Sequence, residues 1–525
     1  MVPAIRIHAA NQHAERPDGE FVLYLMLMAR RPHWNFALQH AVETAQRLAK
    51  PLLIIEPLRV DYQWASDRLH RFVIEGMIAN AVAFAKAPVY YVPWIATASD
   101  TGRKILPALA DRACLLVTDE FPCFFLPQWV ARLAAVVSAR IETVDSNGLF
   151  PLRASPKASD RAFDFRRLLQ RELRPHLGAF PLADPLRGVR LPRLKALPDG
   201  LVASDLSQPL DDIVEALPID HQVGPAAMRG GWREADKTLD AFIAQRLPRY
   251  AEERSDIDAE AASGLSPWLH FGHISAHQVV AALWAEEGWS PDRLSMSTAG
   301  AKEGWWGMSA NAESFLDELV TWRELGYHFC FHRPDYDQYD ALPAWARASL
   351  EAHAADRRTH IYTLDEFAAA ATHDPLWNAA QRQLVREGRM HNYLRMLWGK
   401  KVLEWTAHPR DAVAILIELN NRYAVDGRNP NSYSGIMWCF GRFDRPWAPQ
   451  RTAFGCIRYM SSDNTARKMR VKGYLARYAA VPGEVVESSA VKKPSTATKT
   501  SKKPAGAAKK PKRSGDEGTQ QTLFA

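Results

Sequence analysis

The 525-residue chain is 47% hydrophobic and 24% charged, a globular balance that excludes a wholly disordered or fibrous protein and suggests about three structural units. Its five cysteines (Cys114, Cys123, Cys330, Cys439 and Cys456) include no CxxC pair, which argues against a disulfide framework or a zinc module and for a reducing, cytoplasmic compartment. The net charge of +7 belongs to the tail: residues 491–513 carry nine Lys or Arg and no acid, and residues 1–490 are neutral once Asp516 and Glu517 are counted.

The opening MVPAIRIHAANQ lacks the basic-then-apolar pattern of a leader, and the apolar run at 21–29 is too short to cross a bilayer. No membrane segment is expected. Residues 1–150 alternate apolar, β-branched runs at 21–28, 51–58, 88–94, 114–120 and 141–146 with amphipathic stretches. That pattern predicts an α/β, Rossmann-like domain with a parallel sheet covered on both faces. Ser66 and Asp67 open a helix running to residue 85, with Leu69, Phe72, Val73, Gly76 and Met77 on one stripe. Neither GxGxxG nor GxxxxGK[ST] occurs, so no standard phosphate loop is visible.

Residues 151–231 read as an interdomain connector, because ten of the 34 prolines fall between 151 and 225. From 232 to 480 the periodicity is helical, with helices expected at 236–253, 277–286, 312–329, 375–387, 390–405 and 409–421. This large all-α domain holds thirteen of the seventeen tryptophans. Residues 481–525, rich in Lys, Pro and Ala, bury too little apolar surface to fold and are expected to be disordered.

On the 390–405 helix, Arg395, Trp398, Val402 and Trp405 share one face. A guanidinium on a buried aromatic stripe requires a partner, and Asp426 in VDGRNPNSY is a plausible one. Residues 421–480 carry eleven Lys or Arg against three Asp, a footprint suited to a polyanion such as nucleic acid. The alternating HFCFH at 328–332 lacks a fourth ligand, so no metal is expected.

Five ordered segments then identify the chain: SGLSPWLHFGHIS (263–275), ESFLDELVTWREL (313–325), HDPLWNAAQ (373–381), MHNYLRMLWGKKVLEW (390–405) and DGRNPNSYSGIMW (426–438). Together they resemble the photolyase and cryptochrome superfamily, and most closely its class II cyclobutane pyrimidine dimer photolyases. RPHWNFALQHA near the amino terminus resembles the family's opening helix.

The resemblance implies light-driven repair of DNA: reduced, photoexcited FAD in the helical domain passes an electron to a flipped pyrimidine dimer, whose ring bonds open before the electron returns. The implied FAD contacts are Tyr250, Ser263, Gly264, Leu265, Ser266, Asn392, Arg395 and Asp426. Asn420 is the first candidate to neighbour flavin N5, and Asn431 the second. Glu318, Trp322, Met396 and Trp438 match the lesion pocket, with Glu318 kept protonated by burial. Trp398, Trp377 and Trp405 match, in that order outward, a relay that re-reduces the flavin in class II enzymes.

Ultraviolet-damaged DNA is the expected partner, gripped by Arg428, Arg442, Arg445, Arg451 and Arg458. A second, antenna chromophore, a deazaflavin or a folate, is left open for the α/β domain. Gln520, Leu523 and Phe524 have the Q-x-x-L-F form of peptides that dock on bacterial sliding clamps. A monomer is expected. A cryptochrome-like photoreceptor without repair activity is the rival reading, and GWWGMS at 304–309 has no assigned role.

Overall fold

A computed structural model describes residues 1–97, 102 and 104–481. Residues 482–525, with most of the basic tail and the 520–524 motif, lie outside the described residues. Six strands form one sheet: β1 (Ile7–Ala9), β2 (Phe21–Leu25), β3 (Leu52–Leu58), β4 (Tyr90–Ile95), β5 (Ala113–Asp119) and β6 (Ile141–Val144), in the order β1-β6-β5-β2-β3-β4. All neighbours are parallel except β1, which pairs antiparallel with β6. The parallel strands coincide with the apolar runs. β2, β3 and β5 are buried along their whole length, as a sheet covered on both faces demands. Helices α1 (Phe36–Leu48), α2 (Asp67–Phe84), α3 (Ile105–Arg112) and α4 (Leu126–Ala134) supply the crossovers.

Local chemistry starts and stops these elements. Asn35 caps α1 by accepting the Leu38 amide at 3.0 Å, and Ala49 ends it in the left-handed conformation. Ser66 occupies the corresponding position of α2, but its hydroxyl makes no capping bond. The buried Asp119 carboxylate at the end of β5 accepts the amides of Leu27, Met28 and Ala29 at 2.7–2.9 Å. It thereby fixes the loop that follows β2.

The region expected to be a plain connector contains an eleven-residue helix, α5 (Ala162–Glu172). Its buried stripe is Ala162, Phe165, Arg166, Leu169 and Gln170, so two of the five inward positions are polar and the apolar periodicity is broken. The helical domain follows the expected order, with two irregularities. The first helix passes through a widened turn at Phe242–Arg246 and a 3₁₀ turn at Leu247–Arg249, where Pro248 cannot donate to the ladder. The 310–332 helix is widened to π geometry at Asp317–Trp322, a form found often at functional sites.

Buried polar groups tie the two halves together. Arg68 of α2 donates to the carbonyls of Leu384, Val385 and Tyr423 at 2.6–3.2 Å, satisfying the ends of the Pro375–Glu387 and Pro409–Tyr423 helices. Glu324 accepts the amides of Leu149 and Phe150 at 2.7 and 2.8 Å. Gly272 lies so close to the first domain that a Cβ there would stand 1.5 Å from the Met28 carbonyl oxygen. No helix among the described residues is long and apolar enough to cross a membrane.

Candidate functional site

An open cleft in the helical domain has a cavity volume of about 130 Å³. Six of the expected cofactor residues line it: Ser263, Gly264, Ser266, Asn392, Arg395 and Asp426. Gly264 has φ +73°, a left-handed turn that glycine adopts without strain and that delivers the chain into the short Ser266–His270 helix. Arg246 steadies this loop by donating to the Ala262 carbonyl at 3.2 Å. Asn392 begins the Asn392–Trp405 helix, and His391 caps it by accepting the Tyr393 amide. Burial lowers the His391 pKa to about 4, which keeps the imidazole neutral and able to accept.

One turn further on, Arg395 meets Asp426 at 2.7 Å, and the second oxygen of Asp426 accepts the Ser266 hydroxyl at 2.6 Å. The carboxylate thus joins the loop, the helix and the DGRNP turn. Arg246, Arg389, Arg395 and Arg477 face Glu260 and Asp426 across the cleft, a net positive lining suited to a diphosphate. The residues present therefore fit a dinucleotide cofactor such as FAD.

Four expected contacts, Tyr250, Leu265, Asn420 and Asn431, are not among the residues that line this cleft. The Leu265 side chain is fully buried in the core. Tyr250 packs edge-on against Phe242 and Phe315, and Asn431 presses against Gly326 on the neighbouring helix. Asn420 is buried and donates to the Asn421 side chain at 3.2 Å.

Glu318 lies in the widened turn with its carboxyl 1% exposed. Arg254 pairs with one oxygen, while Oε2 has no hydrogen-bond partner. Burial outweighs the arginine and raises the carboxyl pKa to about 7. Sequence reasoning missed Arg254, because nothing in its spacing tied it to Glu318. Trp322, four residues on, is buried with its indole N–H unpartnered. Met396 and Trp438 are buried as well, and the Lys400 ammonium stands 5.0 Å above the Trp438 ring.

Trp398 and Trp377 stack with ring centroids 6.4 Å apart, and Trp377 meets Trp405 edge-on at 6.1 Å. The Trp377 indole donates to the Trp398 carbonyl, and the Trp398 indole to Gln381. Three indoles therefore form a continuous line with fixed orientations. Trp405, the outermost of the three, is itself 2% exposed. Half-buried Tyr362 and exposed His373 cover it, with centroids 5.9 and 4.8 Å away.

The five basic candidates divide. Arg428 is 2% and Arg442 3% exposed, so neither is placed to grip a phosphate at the surface. Arg428 faces the first domain beside Phe271, and Arg442 lies against Phe329 and Phe443, 3.5 Å from Asp160. Arg445 and Arg451 are exposed and Arg458 is half-buried. Trp447 is contacted by both Arg445 (4.9 Å) and Arg458 (4.7 Å), and Arg458 also reaches the Trp438 ring at 6.0 Å.

A separate cavity of about 90 Å³ opens at the carboxyl ends of β2, β3 and β4 and against the helical domain. Tyr62, Trp94, Phe121, Phe124, Phe125 and Trp129 line it, with Arg30, Arg59 and Arg428 among the polar groups. It lies beside the point where the strand order reverses around β2, the usual position of ligands in open α/β sheets. Sequence gave no sign of it, because its walls come from loops after different strands. No cluster of three or more metal-ligating side chains occurs among the described residues.

No protein-family model matches the chain. Curated proteins do. It is 34% identical over 487 residues to the deoxyribodipyrimidine photo-lyase of Methanothermobacter thermautotrophicus, covering 92% of this chain and 100% of that protein. It is 33% identical over 508 residues to the deoxyribodipyrimidine photo-lyase of Oryza sativa, covering 93% of each. Among solved structures, a bacterial class III photolyase from Agrobacterium tumefaciens superposes with a TM-score of 0.63 at 19% identity, covering 87% of this chain and 86% of that one. That last likeness concerns the fold.

Proposed function

The chain belongs to the deoxyribodipyrimidine photolyase family, and from that premise we propose that it is a class II enzyme opening cyclobutane pyrimidine dimers in ultraviolet-damaged DNA by light-driven electron transfer. The chemistry that FAD supplies when bound is one-electron donation from its photoexcited reduced form. Ser263, Gly264 and Ser266, with Arg246 behind them, would hold the diphosphate end. Asn392 and the Arg395–Asp426 pair would hold the ring system, with Asn420 near its N5 and Asn431 the second candidate.

The observation that carries this reading is Glu318: a buried carboxyl with one oxygen on Arg254 and the other left without an internal partner, its pKa lifted by burial to about 7. A buried polar group without a partner is costly, and the carbonyl of a flipped pyrimidine would accept its proton. Trp322, Trp438 and Met396 would form apolar walls that exclude water around that base. Trp398, Trp377 and Trp405 would carry electrons inward to restore the cofactor's reduced state. Arg445, Arg451 and Arg458 would hold backbone phosphates.

The aromatic cavity in the first domain supports a second, light-harvesting chromophore. The cysteines of the described chain are free, in keeping with a reducing cytoplasm, and we assign the protein as a monomer. Clamp docking through residues 520–524 is tested by deleting the last six residues and measuring association with a sliding clamp. The deciding experiment for the reaction is dimer removal from ultraviolet-treated oligonucleotide under blue light with reductant. Wild type should act only in light, and Glu318→Ala should lose most of that activity. A flavin signal with no dimer loss would leave the photoreceptor reading in its place.

A further inference from the structure

The GWWGMS run lies in an interval, residues 287–309, that is bolted down from several sides. Trp305 and Trp306 are buried, the Trp289 indole donates to the Trp306 carbonyl at 2.5 Å, and Trp289 contacts Trp284 with centroids 4.5 Å apart. Gln170 of α5 clamps the preceding residues, accepting the Gly300 amide at 2.6 Å and donating to the Ala301 carbonyl at 2.7 Å. Glu313 clamps the following ones, accepting the amides of Gly304 and Gly307. Lys302 is exposed between the two clamps. A loop immobilised at this many points has already lost the conformational freedom that a binding loop would otherwise lose on contact.

What the loop presents is an ammonium that no ion pair holds among the described residues. Lys302 borders a small cavity with Arg166, Trp305, Trp306, Asp317 and Thr321. Arg166 forks onto Asp317 at 2.8 and 2.9 Å, and Arg254 pairs with Glu318. Lys302 makes no hydrogen bond or ion pair among the described residues. Partial burial, then the positive field of Arg166, lower its pKa against the opposing fields of Asp317 and Glu303. Lys302 lines this cavity beside Asp317, the residue preceding Glu318.

We propose that Lys302 contacts a phosphodiester of the lesion-bearing strand at the rim of the Glu318 site. This rests on reading Glu318 as the group that meets the flipped base, since a flipped nucleotide brings its flanking phosphates to the rim of whatever pocket receives it. Trp305 and Trp306 are then positioning residues that act through Lys302.

The test is binding of ultraviolet-treated duplex oligonucleotide by the flavin-loaded protein, followed by fluorescence anisotropy across a salt series. One phosphate contact contributes about 0.9 to the slope of log K against log salt. Lys302→Met should lower the slope by about that amount, Lys302→Glu should weaken binding further, and Lys302→Arg should restore both. Thermal unfolding should be unchanged in all three. An unaltered slope in Lys302→Met, or weaker binding with the wild-type slope, overturns the proposal. If wild type does not prefer treated over untreated duplex, it is the reading of the Glu318 site that fails, whatever the lysine variants do.

Discussion

Arg395 and Asp426, 31 positions apart, meet at 2.7 Å with side chains 7% and 11% exposed, and Ser266 completes the carboxylate. Removing one member of such a pair leaves a buried charge without its counterion. Asp426→Asn should therefore destabilise the protein by about 3 kcal/mol in urea unfolding and lower the flavin absorbance retained after gel filtration. The double variant Arg395→Met/Asp426→Asn should lose less stability than the two single changes sum to, because it removes both charges.

Glu318 makes the protein pH-sensitive in a defined direction. Its carboxyl titrates near 7 when folded, against an ordinary value of 4.5, so the folded state holds a proton that the unfolded chain releases across that window. Its contribution to stability is thus present below the window and falls as pH rises through it. Dimer repair at saturating light should likewise decline as pH rises through about 7. Glu318→Gln should flatten both profiles, as read by unfolding midpoints and by the pH dependence of repair.

The tryptophan line predicts a separation of functions. Trp377 stands between Trp398 and Trp405, so Trp377→Phe should slow photoreduction of the oxidised enzyme by an order of magnitude or more. Repair by enzyme reduced chemically beforehand should be little affected. Transient absorption measures the first, and single-turnover dimer loss the second.

Surface and interior arginines should fail differently. Arg458→Ala removes a half-buried cation and should reduce the salt slope of DNA binding by about 0.9 with a small effect on stability. Arg442→Ala removes a guanidinium enclosed by Phe329 and Phe443. It should lower the unfolding midpoint and leave the slope as it was.

The parallel strands and the main helices were legible because each carries its period in its own residues, as FVLYL and PLWNAAQRQLVRE do. β1 was not legible: three residues, none buried, carry no alternation that could be read. α5 escaped because Arg166 and Gln170 hold inward positions for partners that arrive from residues 300–317. The Arg395–Asp426 pair could be anticipated, since a stripe of buried aromatics demands a counterion for its arginine. Burial of Arg428 and Arg442 could not, because composition shows charge and not direction. Arg254 and Lys302 depend likewise on tertiary approach, which no local pattern encodes.

Arg68 has an evolutionary implication. Carbonyls at the ends of two helices of the helical half accept from a guanidinium rooted in the α/β half. A helical half expressed or recombined without its own partner would lose that donor, leaving the Leu384 oxygen with the Gly388 amide alone. The two halves are consequently unsuited to shuffling as interchangeable modules, and chimaeras that preserve every motif of the catalytic half should still fail unless the donor of that single side chain comes with it.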